Sequence, residues 1–227
     1  MATTLYLIRH GETDWNAQGR WQGHTNIPLN SIGQRQSELV AQRLCDEGVS
    51  FDAIYSSDLT RAYQTAWEIG AAVRVAVQLL PPLRELDVGQ WSGLTRAEIK
   101  TRYPVEFQLM EAGADLPRGG GETAAAFLQR VVEITEAMVS QHPNSRLAFV
   151  THGGAIWNIT NYVLSKNETS PVPRGGHIGN ASITIVRFDG EQRELISFND
   201  VTHLANLNTA GNLVTAHPDD SELAGLR

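Results

Sequence analysis

The chain has 227 residues, 41% of them apolar and 19% charged, and a formal charge of -7 at neutral pH. This length suits one α/β domain or two small ones, with an ordinary globular composition able to bury a full core. The acidic balance argues against a general nucleic-acid or anionic-membrane binder, although a basic pocket can lie inside an acidic surface.

The single cysteine, Cys45, excludes an internal disulfide and fits a reducing compartment; beside Leu44 in a helical pattern it reads as a small core residue. With no second cysteine near a histidine, a zinc site of the usual kind is not expected. The N-terminal apolar run is too short for a secretory signal, and no segment approaches the roughly 20 apolar residues of a membrane span. The expectation is a soluble cytoplasmic protein in one domain spanning residues 1–227.

In chain order, Leu5–Ile8 is an apolar strand that breaks off into Arg9-His10-Gly11-Glu12. A loop over Trp21–Asn30 leads to a helix at about Ser31–Glu47, capped by Asn30 or Ser31 and ended by Gly48. Phe51–Tyr55 is a second strand, and a helix over about Leu59–Ala72 carries Arg61 in its first turn. Val73–Val77 reads as a short third strand. Leu79–Gly121 is irregular, with Glu85, a Gly89/Trp91/Gly93 cluster and short helices near Thr95–Tyr103 and Val105–Glu111; long structured loops are often functional. Thr123–Gln141 is amphipathic, with Phe127, Val131, Ile134 and Met138 on a core face. Arg146–Val150 is a strand, Thr151-His152-Gly153-Gly154 opens a helix to Leu164, and Ala181–Phe188 with Glu194–Phe198 form a closing pair around Asp189-Gly190. The tail from about Asn206 is polar. Strand-like and helical runs alternate, which predicts layers around a mostly parallel sheet.

Ligands of open α/β sheets bind beyond the carboxyl ends of the strands. If the strands ending at Arg9-His10 and at His152 are neighbours of the one feeding Arg61, two imidazoles and two guanidiniums meet at one edge. Glycines allow close backbone approach there, and helix N-termini add partial positive charge. Such a pocket suits a doubly charged phosphate group. A neutral imidazole is a nucleophile at phosphorus, arginines bind equatorial oxygens, and a second histidine adds charge in the transition state. The leaving alkoxide needs a proton, for which Glu85 is the first candidate and Asp87 the second.

Four segments carry a family resemblance. Arg9-His10-Gly11-Glu12-Thr13, Ser56-Ser57-Asp58-Leu59-Thr60-Arg61-Ala62, Leu83-Arg84-Glu85-Leu86-Asp87-Val88-Gly89 and Thr151-His152-Gly153-Gly154 occur in the order of the motifs of the histidine phosphatase superfamily, the phosphoglycerate mutase-like enzymes. The likeness runs from about Leu5 to Leu204. It implies a three-layer α/β/α sandwich, His10 as the phosphorylated nucleophile, Glu85 as general acid and then base, and Arg9, Arg61 and His152 on the phosphoryl group. Asn16, Gln22, Gly23 and Gly153 fall where the family contacts phosphate or ester. No metal or cofactor is implied, and family members are often dimers, so a homodimer is an expectation.

Each assignment has a plainer counterpart. His10 and His152 could be strand-end histidines bonded to backbone, Arg61 could pair with Asp58, and Glu85 could belong to a surface cluster with Arg84 and Asp87. His24, His142 and His217 read as exposed and inert, His203 as a structural residue or family motif, and Trp21 as packing or entrance lining. The short segment between Glu85 and Gly121 favours a hydrolase acting on a small phosphorylated metabolite over a mutase that returns the phosphoryl group to its substrate, since a shorter cover admits water. Arg118, Arg174 and His177 are candidates for a second negative group of that metabolite.

Overall fold

The computed structural model describes residues 2–165 and 177–208; Arg174, His217 and the tail from residue 209 lie outside the described residues. In chain order the elements are β1 (Thr3–Arg9), α1 (Asp14–Ala17), α2 (Ser31–Asp46), β2 (Ala53–Ser56), α3 (Thr60–Val73), β3 (Val77–Leu79), α4 (Arg96–Arg102), α5 (Pro104–Glu111), α6 (Ala124–Gln141), β4 (Arg146–Thr151), α7 (Gly153–Ser165), β5 (Ile183–Asp189), β6 (Gln192–Asp200) and α8 (Ala205–Asn208). Tight turns at Pro81–Leu83, Gly89–Trp91 and Arg118–Gly120 punctuate the irregular stretch.

Six strands form one sheet in the order β3-β2-β4-β1-β5-β6. The β3, β2, β4 and β1 strands run parallel, and the β5–β6 hairpin is added antiparallel at the β1 edge. Helical crossovers cover both faces of the parallel part, so its strands are apolar on both sides. Side-chain alternation shows which residues serve which face. Leu5, Leu7, Ala53, Tyr55, Leu147 and Phe149 pack with Phe127, Val131 and Met138 of α6 and with Ile156, Ile159 and Val163 of α7. Ile8, Ile54, Ala148 and Val150 face the other way, onto Val40 and Leu44 of α2 and Ala66 and Ile69 of α3. The result is the three-layer α/β/α sandwich that the family resemblance implies, built on the mostly parallel sheet expected from the alternating pattern.

Local signals act as read. The Asn30 side chain caps α2 by accepting from the Gly33 N–H at 2.8 Å, and Gly48 follows at φ +64. The third strand does not lie at Val73–Val77. The α3 helix runs on to Val73 and ends at Arg74 in the left-handed region, so pairing with β2 begins only at Ile54↔Val77. Cys45 is exposed rather than buried. The inward stripe of α2 is Gln36, Ser37, Val40, Ala41 and Leu44, and one residue beyond Leu44 turns away from it. Ile134 is only partly buried; Thr135 takes the fully buried place on that face. Among the described residues no helix is long and apolar enough to cross a membrane.

Candidate active site

Register brings the pieces together. Arg9 pairs with Thr151 across β1–β4, and Ser56 pairs with Val150 across β2–β4. The next residue on each strand, His10, His152 and Ser57, therefore leaves the sheet at one edge. The His10 and His152 rings lie 5.1 Å apart at 61°, and both are almost wholly buried.

His10 is held by its own backbone neighbourhood. Its Nδ1 lies 2.6 Å from the Gly11 carbonyl oxygen. A carbonyl only accepts, so Nδ1 carries the proton and Nε2 keeps the lone pair. Asn180 Nδ2 and the Ala181 N–H both donate to the His10 carbonyl, at 3.1 and 3.2 Å. The Gly11 N–H donates to Thr65 Oγ1 at 3.0 Å, which ties the turn after β1 to α3. A Cβ at Gly11 would lie 2.3 Å from the Gly33 carbonyl oxygen, so no larger residue fits there.

Arg61 is 1% exposed and braced from behind: Nη1 donates to the Thr25 carbonyl at 2.8 Å and Nη2 to that of Gly23 at 2.9 Å. Asp58, its partner in the plainer reading, is instead clasped by Arg84, whose Nε donates to Oδ1 at 2.7 Å. Arg9 Nη1 donates to the Ile178 carbonyl. The backbone of Gly153 passes over the Arg9 guanidinium, with 3.6 Å from a built Cβ to Cζ.

His152 Nε2 lies 2.9 Å from Ser57 Oγ. The Arg9 Nε, Arg61 Nε and His152 Nδ1 atoms are buried and make no hydrogen bond among the described residues. A buried donor without a partner costs about 1–3 kcal/mol. Three of them beside a neutral imidazole suit an anion with several acceptor oxygens. Electrostatics agrees. Burial pushes the His10 imidazole well below the ordinary histidine range, and the Arg61 and Arg9 charges push it further; the Gly11 bond works the other way. His152 is lowered by burial, then by Arg61, His10 and Arg9. Burial brings even Arg61 down to about 10, with Glu85 opposing and Arg9 assisting. The two guanidiniums repel one another and disfavour protonation of the two imidazoles, and an anion among them offsets both effects.

Glu85 enters from the irregular stretch. Its Oε2 accepts from the Gly154 N–H at 3.0 Å, in the first turn of α7, and Oε1 accepts from the Leu86 N–H at 2.8 Å. Asp87 does not share this position: its Oδ1 caps the Gly89 N–H at 3.0 Å.

Asn16, Gln22 and Gly23 lie in the loops around this cluster. Asn16 completes a capping box on α1, its Oδ1 accepting from the Thr13 N–H and Oγ1, so only its amide nitrogen remains for a ligand. Gln22 is buried with an unpartnered Oε1, and the Gly23 carbonyl is the brace on Arg61. Arg118 is buried with Nη1 unpartnered. His177 is half-buried, and its carbonyl accepts from Asn199 Nδ2 at 2.7 Å.

Several histidines differ from expectation. His24 is half-buried, with Nε2 2.8 Å from the Glu85 carbonyl oxygen, and His142 Nε2 lies 2.8 Å from the buried Tyr55 hydroxyl. His203 packs beside Arg43, where burial and then that charge lower it to about 4. Trp21 packs edge-on against the fully buried Trp91, at 5.8 Å between rings. Ser57, Thr65, Gly154, Asn180 and Arg130 also shape the site. Ser57 and Gly154 stand inside the quoted motifs, so the signal for them was present; Arg130 looks like any charged residue of an amphipathic helix.

A family model described as histidine phosphatase superfamily (branch 1) matches residues 5–201. The metal-independent phosphoserine phosphatase of Arabidopsis thaliana is 33% identical over 209 residues, 90% of this chain and 84% of the relative. A phosphoserine phosphatase mutant of Entamoeba histolytica, solved with phosphoserine, is 32% identical, with a TM-score of 0.75 over 89% of this chain and 99% of that one. The mycobacterial glucosyl-3-phosphoglycerate phosphatase solved with vanadate is 30% identical, with a TM-score of 0.74 over 86% and 98% of the two chains.

Proposed function

The chain belongs to the histidine phosphatase superfamily, and from that membership we propose that it hydrolyses monoesters of small phosphorylated metabolites through a phosphohistidine on His10. The observation that carries the reading is the His10 Nδ1–Gly11 bond of 2.6 Å, because it leaves the lone pair of a neutral imidazole on Nε2, beside Arg9, Arg61 and His152.

In the first step Nε2 attacks phosphorus and the bond from phosphorus to the ester oxygen breaks. Glu85, protonated, gives its proton to the departing alkoxide, while Arg9, Arg61 and the Nδ1 side of His152 hold the phosphoryl oxygens. In the second step the Glu85 carboxylate takes a proton from water, whose oxygen attacks phosphorus as the N–P bond breaks. Inorganic phosphate leaves, and Glu85 is protonated again. Asn16, Gln22, Gly23 and Gly153 contribute contacts to the phosphate or ester. The same reading takes residues 1–227 as one domain, working without metal or cofactor, as a homodimer in the cytoplasm.

Phosphoserine and sugar-linked phosphoglycerates, the compounds in the names of the relatives, lead the substrate panel. The test is release of inorganic phosphate from that panel by the protein and by His10→Ala, together with trapping of acid-labile phosphate on the protein. Turnover and trapped phosphate that both vanish in His10→Ala support the reading. Phosphoglycerate isomerised faster than phosphate is freed would make the protein a mutase instead.

A further inference from the structure

Glu85 is the one member of the cluster not carried by a strand end or a helix. It sits in Arg84–Val88, between two tight turns whose backbone bonds reach only its two ends, from the Arg84 N–H to the Pro81 carbonyl and from the Trp91 N–H to the Val88 carbonyl. Backbone polar groups in such a segment must be satisfied some other way. Here one side chain holds the carbonyls on either side of the Arg84–Glu85 step. Arg130, on α6, donates from Nη1 to the carbonyls of Pro82 at 2.7 Å and Arg84 at 3.0 Å, and from Nη2 to that of Glu85 at 3.1 Å. Its Nε and Nη2 also grip Glu122 Oε1 and Oε2, at 2.8 and 2.7 Å. Glu122 in turn accepts from the Asp87 N–H through Oε2 and donates its own N–H to the Asp87 carbonyl, both at 2.9 Å. His24 Nε2 takes the second lone pair of the Glu85 carbonyl. Arg130 also lies over the Phe127 ring, 5.0 Å from its centroid, and Phe127 packs against Gly154, which holds the Glu85 carboxylate.

We propose that Arg130, locked by Glu122, is the positioning residue of the acid Glu85, acting on its backbone and never touching substrate. The proposal rests on the reading of Glu85 as general acid. The Arg130 charge is matched by Glu122, so its effect on Glu85 is geometric. Only a planar guanidinium spans three carbonyls and a carboxylate at once; a lysine ammonium has three donors from one point and cannot.

General acid catalysis matters in proportion to how poor the leaving group is. A misplaced acid therefore has a signature that a merely loosened fold lacks. The experiment compares Arg130→Lys, Glu85→Gln and the double variant on 4-nitrophenyl phosphate, whose phenolate leaves without help, and on an alkyl ester such as phosphoserine. Expected for Arg130→Lys is a fall in kcat of about 30-fold or more on the alkyl ester, within the range of general acid effects, against about 3-fold or less on the nitrophenyl ester. KM should stay unchanged on both. The double variant should be no slower than Glu85→Gln, because both changes disable one group.

Equal losses on the two esters, or losses that multiply in the double variant, overturn the proposal. A Glu85→Gln variant that shows no dependence on the leaving group overturns the acid role of Glu85 itself, a separate failure. If Arg130→Lys does not fold, Glu122→Gln, which keeps the guanidinium and frees it from its lock, is read by the same criteria.

Discussion

The Glu85 carboxylate rests on the backbone of Gly154, with Oε2 3.0 Å from the amide nitrogen in the first turn of α7. A methyl group at that glycine would stand 2.3 Å from Oε1 and 3.0 Å from the Phe127 ring. The carboxylate is the far end of a flexible side chain and can step aside, so the fold tolerates the change better than the chemistry does. Gly154→Ala should keep its thermal midpoint within a few degrees while kcat on alkyl phosphates falls about 100-fold, the usual consequence of displacing a reacting group by an ångström. Melting curves and steady-state kinetics on the same preparation check this.

Arg61 should not tolerate replacement by lysine. Two of its five N–H groups are committed to the Thr25 and Gly23 carbonyls, and the buried Nε–H is among those left for an anion. Lysine cannot brace and bind from opposite edges. Arg61→Lys should lower kcat/KM by about 100- to 1,000-fold, the size of losing one preorganised donor to developing charge. A variant within a few-fold of the parent would remove Arg61 from the phosphate site.

Thr65 ties the nucleophile turn to α3. Its Oγ1 accepts from the Gly11 N–H, donates to the Arg61 carbonyl at 3.1 Å and meets Ser37 Oγ at 3.0 Å, all in the buried interior. Thr65→Val has nearly the same shape but leaves the Gly11 N–H unpaired. Urea unfolding should show a loss of about 1–3 kcal/mol, and a loosened Gly11 should reduce kcat as well. Unchanged stability would mean the N–H finds another acceptor.

Stability should fall on the acid side well before the carboxylates titrate. His10 and His152 are held well below the ordinary histidine range, and His203 near 4, each chiefly by burial. Below about pH 6.5 the unfolded chain takes up protons at these positions and the folded chain does not. The unfolded state then binds more protons, so stability drops as pH falls, by about 1.4 kcal/mol per pH unit for each imidazole kept neutral. Asp58, Glu122 and Asp200 are lowered by their arginine partners, Glu122 against its burial, and act in the same direction in a more acidic window, losing their stabilisation only as pH falls below about 4. Urea midpoints should decline between pH 7 and pH 5; a flat midpoint across that interval would contradict the buried, neutral imidazoles.

For activity, the same lowering keeps His10 able to attack in mildly acidic solution. The rate should follow a bell with an acidic-to-neutral optimum, its acid limb lying below the range of a free imidazole. A rate that rises without limit toward alkaline pH would contradict a step that pairs a neutral nucleophile with a proton donor.

Much of this architecture was readable from local pattern. Short apolar runs located β1, β2 and β4, helical pattern located α2, α3 and α6, and the residue types at the strand ends pointed to an anion pocket. Elements without a strong period were placed less well. The short β3 was set four residues early, since its position is decided by where α3 stops and where β2 offers a partner. Cys45 and Leu44 are adjacent in sequence, yet one turns outward and the other into the core.

Residue chemistry and short-range periodicity are local properties, so the chain alone shows an inventory: two imidazoles and two guanidiniums at strand ends and a helix start, and a carboxylate in the irregular stretch. How that inventory is wired is a matter of contacts made in the folded state. The choice of Arg84 over Arg61 for Asp58, the seat of Glu85 on Gly154, and the grip of Arg130 on the segment carrying the acid join residues far apart in the chain. Such contacts leave no period to read. They depend on strand register, where a shift of one residue turns every side chain to the other face.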